Sequence, residues 1–161
     1  MQKQIAMAAL VLGAVLVGGS TARTQSSAAW IGTWKVNLEK STYNPGPKPT
    51  VGQTITVEPT AAGVNISVDG RSAEGQPTHA EIVGTFDGKD NPVKGGYTPN
   101  LTNAVRRIDD RTLEVVGKID NKPEVTSRAV VSADGRTMTI TQTGQNAKGQ
   151  SVNNVIVADK Q

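Results

Sequence analysis

The sequence predicts an all-β protein, an antiparallel up-and-down β-barrel of about 8–10 strands. Three observations carry that expectation. Residues 23–161 hold 41 Val, Thr and Ile but only three Leu (Leu38, Leu101 and Leu113). β-branched side chains lose rotamer freedom in a helix and pack well on a pleated surface. Apolar and polar residues alternate with a period of two through several segments, as in a sheet with one buried and one solvated face. Pairs such as Asp69-Gly70, Asp87-Gly88, Gly95-Gly96, Asp120-Asn121 and Asp134-Gly135 punctuate these segments. They tolerate positive φ and so join neighbouring strands as hairpins.

The first segment stands apart from this pattern. Residues 1–22 carry Lys3, then an apolar run over residues 5–17, then Gly18-Gly19-Ser20-Thr21-Ala22. A basic start, a short hydrophobic stretch and small residues before a cut site describe a secretory signal peptide. The run falls short of the roughly 20 residues that span a bilayer. Ser20 and Ala22 place the cut before Arg23, with a later alternative before Trp30 after Ser27-Ala28-Ala29. The expected product is periplasmic or secreted and has no stable membrane insertion. Residues 23–29 form a flexible lead-in, and 30–161 form one barrel domain.

Within that domain, strands are expected near 30–36, 51–58, 63–69, 77–86, 101–108, 111–119, 124–132, 136–143 and 151–158. Val64, Ile66 and Val68 alternate with Asn65, Ser67 and Asp69. Ala80, Ile82, Gly84 and Phe86 share one face of the next strand; His79, Glu81 and Val83 share the other. Leu113, Val115, Gly117 and Ile119 form another inward row, as do Met138 and Ile140. In the first strand the same rule turns Trp34 and Val36 inward. It leaves Trp30 at a frayed start, where its loss should cost little. Residues 37–49 break the rhythm: 38–43 suit one helical turn, and Pro45, Pro47 and Pro49 favour a stiff extended connection. Asp109-Asp110-Arg111-Thr112 and Asp134-Gly135-Arg136-Thr137 echo one another, which reads as two hairpin turns of like chemistry.

Gly32-Thr33-Trp34, opening the first strand of such a barrel, resembles the start of the lipocalin and wider calycin superfamily. The longer string Gly32-Thr33-Trp34-Lys35-Val36-Asn37, with Lys40-Ser41, Pro45-Gly46-Pro47, Asp87-Gly88-Lys89-Asp90, Arg106-Arg107-Ile108-Asp109-Asp110-Arg111-Thr112 and Val152-Asn153-Asn154-Val155, is similar to small exported bacterial proteins of lipocalin-like type. Those relatives have no settled activity. The resemblance covers residues 30–161. It implies a tryptophan that plugs one barrel end, commonly under an arginine from the last strands. No arginine follows Arg136 here. Lys160, or Arg128 from another strand, is left for that position.

Composition removes many functions. The chain has no Cys and a single His, which excludes disulfides, thiolate sites, lipobox lipidation and multi-histidine metal centres. Its formal charge of +3 is spread without a basic, aromatic-interleaved stripe, so nucleic acid is not an expected partner. His79 reads as a solvated strand histidine and Asp109-Asp110 as turn residues; no G-x-S-x-G elbow or glycine-rich phosphate loop is present. No catalytic residue, metal or cofactor is therefore expected. Five aromatics are few for a barrel of this size, which favours internal space over a filled core. Trp34, Tyr43, Phe86, Tyr97 and the inward amide of Asn154 are the candidate ligand-binding residues. The expected function is binding of a small hydrophobic or amphipathic molecule inside a monomeric barrel. The alternative is a periplasmic protein-interaction module, such as a barrel-type protease inhibitor using residues 23–29.

Overall fold

The computed structural model describes residues 28–72, 74–96, 99–146 and 148–161. The expected signal peptide, residues 23–27 of the lead-in and Tyr97 lie outside the described residues. Nine long strands carry the fold: β1 (Gly32–Thr42), β2 (Thr54–Thr60), β3 (Gly63–Arg71), β4 (Pro77–Gly84), β7 (Leu101–Asp109), β8 (Thr112–Ile119), β9 (Lys122–Val131), β10 (Thr137–Gln145) and β11 (Ser151–Lys160). Two short pieces, β5 (Asn91–Pro92) and β6 (Lys94–Gly95), bring the total to eleven, and no helix occurs among the described residues. All pairings are antiparallel, in the order β5-β7-β8-β9-β10-β11-β1-β2-β3-β4-β6. The result is a nearly closed barrel.

The joint between β4 and β7 completes the circle without a ladder of its own. One short segment spans it instead. Asn91 and Pro92 pair with Asn103 and Thr102 of β7, and Lys94 and Gly95 pair with Glu81 and Ala80 of β4. Below this patch the two strands meet side on. A Cβ at Gly84 would stand 2.7 Å from the Cβ of Val105, so the close approach requires glycine.

Alternation sets the interior as the sequence implies. Trp34, Val36, Val57, Val64, Ile66, Val105, Leu113, Val131, Met138, Ile140, Ile156 and Ala158 are buried. Outward faces carry Lys35, His79, Glu81 and Lys118, which form hydrogen bonds or ion pairs along the surface.

The expected helical turn over residues 38–43 is replaced by strand with a wide irregularity. Asn37 pairs with Val157 but Thr42 with Val155, so four residues on β1 oppose one on β11. The Ser41 hydroxyl explains how the ladder survives: it donates to the Asn37 carbonyl at 2.6 Å and accepts the Val157 N–H at 3.0 Å. One buried hydroxyl thus satisfies backbone groups on both strands. The following proline-rich stretch bends at Asn44–Gly46 rather than running straight, and its Asn44-Pro45 and Gly46-Pro47 peptides are cis.

Trp30 corrects a second expectation. It precedes β1, in a turn closed by the Ile31 N–H on the Ala28 carbonyl, yet it is only 3% exposed. The Ala29 N–H reaches the Asp110 carbonyl at 2.7 Å, laying residues 28–31 across this barrel end. Ala28, expected in the lead-in, is buried there too. The Asp109 and Asp134 turns do share one chemistry. Asp109 Oδ1 accepts the Arg111 N–H at 2.7 Å, and Asp134 Oδ1 accepts the Arg136 N–H at 3.1 Å.

Candidate functional site

The barrel has one sealed end and one end leading to a cavity. At the sealed end Trp34 is fully buried, and its indole N–H donates to the Trp30 carbonyl at 3.0 Å. The Lys160 ammonium lies 5.0 Å from the centre of the Trp34 ring, the position left open by the missing arginine. Trp30 is buried in the same plug: Phe86 meets its ring edge-on at 6.0 Å, and the Arg107 guanidinium covers it at 5.8 Å. Phe86 reaches this place because the chain leaves β4 at Gly84 and turns, with φ of 59° at Phe86.

Above this plug lies a cavity of about 600 Å³, lined by β2, β3, β4 and β7 to β11. Its deeper wall is aliphatic: Val57, Ile66, Leu113, Met138, Ile140 and Ile156. No aromatic side chain lies on this wall among the described residues, which leaves the space. Toward the far end the lining turns polar, with Gln53, Glu124, Gln145 and Asn146. Glu124 is the sole charged side chain among the described lining residues.

A directed row of hydrogen bonds crosses the wall at mid-height. The Asn44 N–H donates to Asn154 Oδ1 at 2.8 Å, Asn154 Nδ2 donates to Gln142 Oε1 at 3.0 Å, and Gln142 Nε2 donates to Ser127 Oγ at 3.1 Å. The register explains the row, because Asn154, Gln142 and Ser127 are direct partners on β11, β10 and β9. The Asn153 N–H also donates to the Asn44 carbonyl at 2.7 Å, tying the loop after β1 to this wall. Asn103 on β7 faces the same space across Gly117, which has no side chain to cover it.

The candidate residues therefore separate. Asn154 lines the cavity, while Trp34 and Phe86 build the plug beneath it. Tyr43 follows β1 and is half-buried against the core, where desolvation pushes its phenol above the ordinary pKa. Tyr97 lies outside the described residues. Gln142, Ser127 and Asn103 were not singled out from sequence, although a signal existed. Gln142 continues the inward row of Met138 and Ile140, and Asn103 stands between Leu101 and Val105.

Away from the cavity, His79 sits on the outer face between Asp69 at 2.7 Å and Glu81 at 3.4 Å. These two carboxylates, Asp69 foremost, raise its pKa. Asp109 spends both carboxylate oxygens on its own turn, on the Arg111 N–H and the Thr112 hydroxyl, which lower its pKa. Among the described residues no group of three or more His, Asp or Glu is placed to hold a metal ion.

No protein-family model matches this chain, and no curated protein does. The observed all-β, nearly closed antiparallel barrel is compatible with a lipocalin-like fold.

Proposed function

We propose that this protein is an exported carrier that binds a small hydrophobic or amphipathic molecule inside its barrel. The observation that carries the reading is the aliphatic cavity of about 600 Å³ above the tryptophan plug. That volume lies within the range of small-molecule sites, and a mostly apolar lining with few convergent polar groups is their usual character. Apolar residues inside and polar residues outside reverse the pattern of a barrel that faces lipid. Export rests on residues 1–22. The packing of Ala28 and the Ala29–Asp110 hydrogen bond favour a cut before Arg23, since a cut before Trp30 would remove both.

Titration with the neutral, apolar fluorophore N-phenylnaphthylamine tests the reading. Saturable binding to the folded protein is expected, and native mass spectrometry of protein from its own host should show a retained small molecule. A folded protein that neither binds the fluorophore nor retains any small molecule would overturn the carrier.

A further inference from the structure

The polarity of the cavity wall narrows the ligand, an inference that rests on the carrier reading. Asn103 is 6% exposed and lines the cavity, and its side-chain amide has no hydrogen-bond partner among the described residues. That amide opens onto the cavity and presents both a donor and an acceptor to it. The wall beside it is kept open by Gly117, where a Cβ would stand 3.1 Å from Asn103 Oδ1. The hydrogen-bond row that starts at the Asn44 N–H ends on Ser127. Its oxygen accepts from Gln142, and its own proton has no acceptor among the described residues. Mid-height in the cavity therefore offers an amide and a hydroxyl, both uncharged.

The charge pattern is as informative as the hydrogen bonds. No Lys, Arg or His lines the cavity among the described residues, and its one charged side chain is Glu124. A carboxylate or phosphate drawn into this wall would lose its hydration with no cation in return, and would do so beside another anion. A hydroxyl or amide head group meets no such penalty. We propose that the barrel selects neutral amphiphiles: an aliphatic body seated on Leu113, Met138, Ile140 and Ile156, and a head group that both donates and accepts at Asn103.

Competition against bound N-phenylnaphthylamine decides it, with dodecanol, dodecanamide and dodecanoate as matched competitors. At neutral pH the alcohol and the amide should displace the fluorophore at concentrations at least about tenfold below the carboxylate. The gap should narrow as the pH falls toward the carboxylic acid's own pKa. Asn103→Leu should weaken dodecanol about fivefold more than it changes fluorophore affinity. If that variant does not fold, Asn103→Ala removes both donor and acceptor without added bulk and serves the same comparison. Dodecanoate competing as well as dodecanol would overturn neutral selectivity while leaving the carrier standing. Unchanged dodecanol affinity in a folded Asn103 variant would remove Asn103 from the site. Absence of fluorophore binding together with no retained small molecule would instead remove the carrier itself.

Discussion

Trp34 and Trp30 show what single residues contribute and how differently the sequence announces them. Trp34 is inward by simple alternation with Lys35, and the structure buries it completely under Lys160. Trp30 lies before the first strand, in a turn, where a period of two has no meaning; its burial depends on Phe86 and on a hairpin some eighty residues away. Trp34→Ala should cost about 3–5 kcal/mol in chemical denaturation. Trp30→Ala should fall in the same range, at least about 3 kcal/mol, rather than being mild. Titratable residues act more gently because they are exposed. The folded pKa of His79 is raised by Asp69 and Glu81, so its contribution is complete below the unfolded value of about 6.5 and is lost as pH rises through the raised one. Asp87 behaves oppositely. The Thr85 hydroxyl, with the Lys89 N–H, lowers it to about 2, so its contribution is complete above about pH 4 and disappears as pH falls through about 2. Melting curves of His79→Gln should therefore lie further below the parent at pH of about 5 than at about 8. Asp87→Ala should show its deficit near neutrality and only a small part of it near pH of about 2.

The nine long strands were readable from alternation and turn pairs, because each is long enough to repeat its pattern. What escaped were features held by one tertiary contact. The spacing of Leu38 to Tyr43 suits a helical turn, and nothing local shows that Ser41 will instead bridge Asn37 and Val157. Ser41→Ala should leave the Val157 N–H without its hydroxyl partner, costing about 1–3 kcal/mol. Faster hydrogen exchange at that amide is the direct check, and an unchanged rate would dissociate Ser41 from the ladder. β5 and β6 escaped for a different reason: two residues cannot display a period, and their pairing is fixed by the strands they span.

For the molecule as a whole, the cavity was legible only as a shortage of large side chains. The sequence gives the inward rows but not the distance across them. The aromatics therefore stood as candidate lining, although Trp34 and Phe86 build the plug and the aliphatic rows make the wall. Filling that space should separate binding from stability. Ala129→Phe, on the cavity wall, is expected to reduce N-phenylnaphthylamine binding at least about tenfold while the parent's strand-dominated far-ultraviolet spectrum persists. Retained affinity in that variant would mean the fluorophore binds elsewhere. The seam has a different consequence. The first and last strands are joined by backbone pairing that resumes beyond the Ser41 irregularity, and the Gln161 N–H caps the Thr33 carbonyl at 3.0 Å, whereas β4 and β7, adjacent in the circle, are not paired with each other. The discontinuity of the sheet lies in the middle of the chain, not where the described chain begins and ends. A circular permutant that links Gln161 to Ala28 and opens the chain beside Gly88 would keep every pairing between the nine long strands. In that order the barrel becomes an uninterrupted meander from β7 round to β4, and its seam becomes its ends.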